Sequence, residues 1–506
     1  MKKLYFTLVT LIGLMSIASA QYVDNALMFS QQYYGSTARS KAMGNAFGAL
    51  GGDFGALSIN PAGIGIYQRG ELSMTMSPIN LSNTETSYQG NTYQENNNNF
   101  NFKNFGYVSV VPMHNSSSGL VSLNFGLGYN RLANLNSSSY ISASNVPYSR
   151  MDAFAQNTNG IAYSNLVSTD TYDPYKQGIP WESKLAWENY LIEVTNPNTG
   201  GDQYSTFLFS DESVKQLESA SHEGFINEYV ASFGANFGHK FYFGMTFGMQ
   251  DLFYDEAKMY SESGDWGKFD YTNAERTSGI GYNFKFGLIY RPVPVLRIGA
   301  AIHTPTYYYM KESYSSVMSS NLVDINPDAN GTHYEETPLG NYDYDYNTPL
   351  RFIGSIAYQF AKKGLLSLDY EFVDYSNMKY RRGSDGYQFG SENSNIKEIY
   401  QSVNNIRAGA EYRITDAFSL RGGMEFLGNP YKSKSFGVDQ PNVDYKFTSY
   451  NGGIGYRAGI FSADVTYSMG DRTNYMYMYQ VDGFNVEAVK YHTRLHEVLF
   501  TFAIRM

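Results

Sequence analysis

Rows of bulky apolar residues at every second position constrain this chain more than any other feature. Near the end, Val498, Phe500, Phe502, Ile504 and Met506 alternate with Glu497, Leu499, Thr501, Ala503 and Arg505. Ile280, Tyr282, Phe284, Phe286, Leu288 and Tyr290 form a second row, and Phe241, Phe243, Met245, Phe247 and Met249 a third. A strand turns successive side chains to opposite faces, so period two over this length means a strand between two different environments. Uniformly bulky rows suit a lipid-facing surface. A soluble sandwich offers the same alternation, because periodicity alone does not tell lipid from core.

The joints discriminate better. Fourteen strands read near 70–80, 103–113, 119–132, 224–237, 240–254, 276–291, 294–308, 347–360, 364–378, 404–414, 417–427, 446–457, 460–470 and 490–506. The joints after even-numbered strands are short, among them Gly238-His239, Pro292-Val293, Thr415-Asp416 and Ala458-Gly459. Those after odd-numbered strands are long. An even strand count with short–long alternation is what a transmembrane β-barrel produces, with tight turns on one side and long loops on the other. The predicted fold is therefore all-β, a 14-stranded antiparallel transmembrane barrel spanning 70–506.

Composition removes the competitors. The chain has 506 residues, 16% aromatic and 17% charged, and no Cys, which excludes disulfides, zinc thiolates and a thiol nucleophile. Mean hydropathy is −0.38, too low for a bundle of apolar transmembrane helices. A net charge of −10 argues against nucleic-acid binding. Lys2 and Lys3, an apolar run from Leu4 to Ile17 and the small Ala18-Ser19-Ala20 predict a signal peptide over 1–20, cleaved before Gln21.

Two stretches fall outside the strand pattern. Residues 21–69 are rich in Gly and Ala and read as a hatch inside the lumen, since barrels much wider than eight strands leave space to fill. Pro61 fixes its own backbone, and the Asn60 amide suits buried backbone groups. Residues 133–223 form an extracellular insertion with short helices expected from Trp181 through Val194 and from Ser210-Asp211 through Ser219.

The string Ala38-Arg39-Ser40, Met43-Gly44-Asn45-Ala46, then Asn60-Pro61-Ala62-Gly63, resembles the hatch of the FadL/TodX-type outer-membrane transporter family, as a Bacteroidetes-like member. Arg291-Pro292 and Thr304-Pro305 also resemble the family. The resemblance implies an outer-membrane channel for passive uptake of hydrophobic compounds: a fatty acid, an aromatic hydrocarbon or a porphyrin. It also implies ligand release sideways through a kinked third strand, where Gly126 and Gly128 border the opening. Expected surroundings are outer-membrane lipids and lipopolysaccharide, with the chain a monomer and no cofactor or metal. The alternative is a barrel that does not transport, serving as a secretion scaffold or surface adhesin.

Candidate ligand contacts follow from where apolar groups cluster. The hatch offers Met43, Phe47, Leu50, Phe54 and Leu57. The insertion offers Phe154, Trp181, Leu185, Trp187, Leu191, Phe207, Leu208 and Phe209. Either set serves equally to fill its own core. Inward-facing cations are expected at Lys285, Arg297, Arg351, Arg407, Arg413, Arg421 and Arg457, amid carboxylates that suggest structural pairing.

Other motifs carry little. Gly453-Ile454-Gly455-Tyr456-Arg457-Ala458 has dinucleotide-fingerprint spacing but lies within a strand. His492 and His496 lack the intervening Glu of a metalloprotease, and a calcium-like start at Asn326 ends on Thr337 instead of Glu. No arrangement supports catalysis.

Overall fold

The structure is a computed structural model and describes residues 16–34, 36–113, 119–196, 201–208, 212–325, 327–360, 363–432, 445, 447–481 and 483–506. Fourteen antiparallel strands close into a barrel. They are β1 Glu71–Tyr88, β2 Asn101–Pro112, β3 Leu120–Asn134, β4 Val214–Phe237, β5 Phe241–Gly264, β6 Gly267–Val293 and β7 Leu296–His303. The second half comprises β8 Arg351–Phe360, β9 Gly364–Asp374, β10 Ser402–Arg413, β11 Phe418–Leu427, β12 Phe447–Ala458, β13 Phe461–Met476 and β14 Val489–Arg505. Each strand pairs with the next in sequence. Closure comes from β1 on β14, in register from Glu71↔Arg505 to Ser87↔Lys490 apart from one bulge between Met76 and Ile79.

The bulky rows point outward. Leu368 is 47% exposed, Ile454 56% and Phe502 52%, while their inward neighbours Asp369, Gly455 and Thr501 are buried. A continuous exposed apolar surface of this kind belongs in hydrocarbon, not water. It decides between barrel and sandwich, because in a sandwich the same rows would meet face to face. No described helix is long and apolar enough to cross a membrane.

The strands outrun their sequence-predicted ends. β5 and β6 pair without interruption from Tyr290↔Phe241 to Gly267↔Gly264. The predicted ends at 254 and 276 fall where the outer face stops being greasy. Beyond that level the face turns to Asp255, Lys268, Asp270 and Arg276, although the ladder continues. The helix expected to Ser219 is also wrong. Val214 onward belongs to β4, whose inward face there carries buried Gln216 and Glu218, so polar groups hid the period-two pattern. Ser210 and Asp211 lie outside the described residues. The other expected helix stops at Glu188, and Glu193–Asn196 pairs with Gln203–Ser205.

Proline breaks two more expected strands at one level. Thr304-Pro305 ends β7 before a further strand, Tyr307–Leu322, and Thr348-Pro349 separates Gly340–Asn347 from β8. Proline has no N–H for the ladder, and two threonines span the gap instead. The Thr306 N–H donates to Thr348 Oγ1 at 2.8 Å, and the Thr348 N–H to the Thr306 carbonyl at 3.1 Å.

Among the described residues, four α-helices lie outside those expected: Ser16–Ser30, Ala38–Ala42, Arg150–Thr158 and Gly390–Ile399. Arg150–Thr158 begins with a capping box between Ser149 and Asp152, a signal legible in the sequence. Gly390–Ile399 packs on the helix Ser16–Ser30, which runs through the expected cleavage point. Replacing Phe284, midway along an outward row, by Lys should cost about 2–4 kcal/mol in guanidinium unfolding from lipid vesicles. The same change at Tyr290, at the end of that row, should cost about 1 kcal/mol or less.

Candidate functional site

The lumen is filled by the segment 36–67. Short capped turns let it fold in so narrow a space. Thr37 caps Ala38–Ala42, Asp53 caps the 3-10 turn Phe54–Ser58, and Asn60 caps Pro61–Ile66. The Asn60 amide serves three backbones. Its Oδ1 accepts from the Ala62 N–H at 3.0 Å, and its Nδ2 donates to the carbonyls of Gly48 at 2.6 Å and Leu288 at 3.2 Å. The expected element Asn60, Pro61, Ala62 and Gly63 is thus a buried turn tied to β6. Gly51, at φ +59, packs against the Gly63 backbone, where a Cβ would collide.

The wall receives this segment on glycines. Gly244 faces Pro61, Gly287 faces Asn60, Gly299 faces the Gly48 carbonyl, and Gly409 and Gly423 face Met43. Gly106 and Gly128 lie under the Phe54 ring, and Gly126 and Gly234 under Ile64. The glycines that alternate with bulky residues in the sequence therefore let hatch backbone and rings approach the barrel closely. The kink expected at Gly126 and Gly128 is absent. Pairing to β2 and β4 stays in register across both, and the shifts against β4 fall between Leu120 and Ser122 and between Arg131 and Ala133.

Polar anchors complete the seating. The Gly48 N–H donates to Asp369 Oδ2 at 2.8 Å, and the Ala38 N–H to Thr501 Oγ1 at 2.7 Å. Asn124 Nδ2 donates to the Ile64 carbonyl at 2.5 Å, and Arg297 Nη1 to the Leu50 carbonyl at 2.6 Å. Charges form a linked band. Arg407, wholly buried, bonds Glu371 at 2.9 Å and Glu425 at 2.8 Å under the Tyr34 ring. Arg351 also holds Glu371, and Arg421 holds Glu411 and Asp464. From the hatch, Arg39 reaches Glu411 at 3.0 Å and Lys41 reaches Glu425 at 3.7 Å. These two hatch cations are not among the residues singled out from the sequence, although Arg39 lies in the string that carries the resemblance and Lys41 directly follows its Ser40.

The predicted contact residues separate into levels. Met43, Phe47 and Leu50 pack with Ala301, Ile353 and Ala357, while Phe54 and Leu57 pack with Ile64, Val108 and Val230. Farther out, Leu185 and Leu191 are wholly buried in the insertion's core. Trp181 lies against Tyr175 and Tyr314, Trp187 against Tyr163 and Tyr204, and Phe207 against Trp266. Phe209 lies outside the described residues. The two sets do not meet. Between them is an aromatic layer that sequence reasoning missed, built on Phe29, Tyr254, Tyr344, Tyr346, Tyr380, Phe389 and Tyr400. Its signal was the alternation Tyr342-Asp343-Tyr344-Asp345-Tyr346, in which Tyr344 and Tyr346 point inward and Asp343 accepts from Tyr309 outside.

The remaining motifs take structural places. Gly453 to Ala458 lies in β12, His492 contacts Asp471, and His496 contacts Tyr467. Asn326 is outside the described residues, and Asn330 Oδ1 accepts from the Ile325 N–H. Among the described residues no group of three His, Asp or Glu side chains is placed to hold a metal ion.

No family model matches the chain, and no curated protein matches it by sequence. Solved structures do match. A Pseudomonas aeruginosa FadL homologue superposes with a TM-score of 0.52 at 13% identity, over 92% of this chain and 97% of that one. The fold is that of the FadL-type channels. The Pseudomonas putida toluene transporter TodX agrees, with a TM-score of 0.50 at 11% identity, over 94% of this chain and 99% of that one. At such identities the FadL-type likeness concerns the fold, a plugged fourteen-stranded barrel.

Two outcomes follow from the seating of the hatch. Gly287→Val places side-chain atoms where Asn60 lies. Amide exchange across 48–66 should accelerate, while the barrel keeps its heat-shifted gel mobility. The second outcome concerns pH. Burial pushes the Asp53 carboxyl up from its ordinary 3.8 to about 6, against the pull of Arg39 and the Thr37 hydroxyl. A carboxyl raised on folding stabilises the seated hatch at low pH, and that contribution is lost as pH rises through about 6. Intrinsic-rate-corrected exchange protection of 53–59 should therefore fall as pH rises through that window, and Asp53→Asn should flatten the dependence.

Proposed function

We propose that the chain is an outer-membrane channel for passive, hatch-gated uptake of hydrophobic compounds. In this reading 1–20 is a removed signal peptide, 21–69 the hatch, 70–506 the barrel and 133–223 the extracellular insertion. The observation that carries it is the hatch itself. A short segment fills the lumen, seated on glycines and held by hydrogen bonds and a few ion pairs, so it can shift without unpairing any wall strand. The fold shared with a FadL homologue and with a toluene transporter supports the same reading.

Half-buried Trp181, Trp187 and Phe207 are the insertion residues a passenger reaches first, with Leu185 and Leu191 holding them from behind. Met43, Phe47, Leu50, Phe54 and Leu57 line its path once the hatch moves. A sideways exit at Gly126 and Gly128 requires Phe54, Leu57 and Ile64 to withdraw from those glycines. The chain acts as a monomer among outer-membrane lipids and lipopolysaccharide.

The test uses the absence of native cysteine. Thr466 Oγ1 donates to the Ala38 carbonyl at 2.5 Å, which places Ala38→Cys and Thr466→Cys side by side. In cells without their own hydrophobe channel, the wild-type chain should raise uptake of a labelled long-chain or aromatic compound above the empty vector. The oxidised double variant should fall to background, and reduction should restore it. Full uptake with the hatch locked would rule out gating by this segment.

A further inference from the structure

The helix Ser16–Ser30 stands inside the barrel, and its first turns are set among carboxylates. Arg351 Nη2 donates to the Ser30 carbonyl at 2.5 Å, beside the hatch. Nearer the insertion, Asn25 Nδ2 donates to Glu275 Oε1 at 3.1 Å. Asp24 is exposed and lies in the field of Glu256 and Lys258. Glu256 takes His222 at 3.2 Å and Lys258 at 3.5 Å, and Glu182 takes Arg150 at 3.5 Å. That leaves Asp24 and Glu218 with no ion pair among the described residues. Glu218, on the inward face of β4, is 4% exposed. Its charged neighbours are Lys258, Arg150, Glu256 and His222, yet its Oε2 has no hydrogen-bond partner among the described residues. A buried carboxylate oxygen without a donor is costly. Burial pushes the Glu218 carboxyl up, and burial with Glu256 nearby pushes Glu275 up to about 7. A metal ion does not answer the need, because no three His, Asp or Glu side chains among the described residues are placed to hold one.

The chain itself makes a suitable cation. In the signal-peptide reading the mature chain starts at Gln21, which lies in this helix three residues before Asp24. That is the spacing from N-cap to N3 in a capping box, where an acidic side chain reaches back to the first backbone nitrogen. Helical side chains lean toward the helix N-terminus, which turns Asp24 that way. From Ser30 to Asn25 the helix climbs from the hatch toward the insertion, and β4 climbs likewise from His222 to Glu218. The turn ahead of Asp24 therefore comes level with Glu218. In the uncut chain the Gln21 nitrogen is an uncharged amide in mid-helix. Cleavage makes it an ammonium with three N–H donors, at the positive end of the helix dipole.

We infer that the lumen holds a binding site for the chain's own processed N-terminus: the α-ammonium of Gln21 bonds Asp24 and Glu218 and fixes the helix above the hatch. The inference rests on removal of residues 1–20 and is independent of what the channel carries. It gives cleavage a structural consequence, since the uncut chain has no charge to place between these carboxylates. Final seating of the helix then follows export. A charge-assisted bond of this kind supplies the donor that the Glu218 oxygen lacks.

The experiment uses the full chain purified from outer membranes in neutral detergent. Mass spectrometry of the N-terminal peptide first reads where it starts. A start at Gln21 supports the processing step, and any other start overturns that step and this inference together while the channel reading stands. The folded protein is then exposed to a limiting acetylating reagent at neutral pH, and modification of the α-amine is followed in time. An amine reacts only in its neutral form, so the wild type should acetylate about tenfold or more slowly than Asp24→Asn/Glu218→Gln. Glu223→Gln, which removes an outward carboxylate from the same strand, should match the wild type. Heat-shifted gel mobility checks that the variants fold. Acetylated wild type should also lose amide protection across 23–30, whereas the double variant should lose nothing further on acetylation. Equal acetylation rates in wild type and double variant overturn the inference. So does a freshly isolated chain in which Gln21 has cyclised, its amine having displaced ammonia from the side-chain amide, because that ring carries no ammonium.

Discussion

A strand in hydrocarbon has only its neighbours to satisfy its backbone, and the rest of this structure depends on that constraint. Every N–H and C=O at membrane depth must be paired within the protein, so the sheet has to close. The β1–β14 ladder, joining the first strand to the last across most of the sequence, is where the chain meets that demand. Once closed, the wall has a dry outside and an enclosed inside, and side chains sort accordingly. Phe243, Phe284, Leu368 and Ile454 go out, while Asn124, Glu228, Asp369 and Arg407 go in.

The inside then has its own problem. Fourteen strands enclose more space than their inward side chains fill, and many of those side chains are polar. The hatch answers both needs. Its carbonyls and N–H groups partner Asn124, Arg297, Asp369 and Thr501, and its apolar side chains fill the volume left by wall glycines. Hatch and wall are therefore complementary in detail: small residues on one side wherever backbone or ring approaches from the other. The buried band through Arg407, Glu371 and Glu425 stays tolerable because each charge has its opposite. Removing one member would leave its partner desolvated and alone, at a cost of about 3–5 kcal/mol.

What the sequence disclosed and what it hid follow the same division. The spanning strands were legible because lipid imposes one rule on their outer face, and rows such as Ile280 to Tyr290 obey it. Above the membrane that rule lapses. The ladder from Asp255 to Arg276 and the stretch from Val214 to Ser219 could not be traced by hydrophobicity, since one face meets water and the other packs polar groups. The hatch was legible as a segment, through its glycines and Asn60-Pro61. Its contacts were not, because Arg39–Glu411 and Gly48–Asp369 join residues more than three hundred positions apart. The seven inward cations show the limit most clearly. Only the fold separates Lys285, Arg351, Arg407 and Arg421, which pair with carboxylates of the wall, from Arg297, which reaches the Leu50 carbonyl of the hatch.

That separation also bears on how a plugged barrel can open at all. Wall and hatch belong to different classes of stability. Breaking any pair of wall strands exposes backbone to hydrocarbon, so the cylinder moves as a whole or not at all. The hatch is held by side-chain hydrogen bonds, the ion pairs of Arg39 and Lys41, short capped turns and van der Waals contact with glycines, none of which leaves an unpaired ladder when released. Local opening of such an element costs far less than global unfolding. An apolar passenger wedged among Met43, Phe47 and Leu57 would replace the contacts the hatch gives up. In the proposed gating, its differential affinity for the opened state would supply the free energy that displaces the hatch.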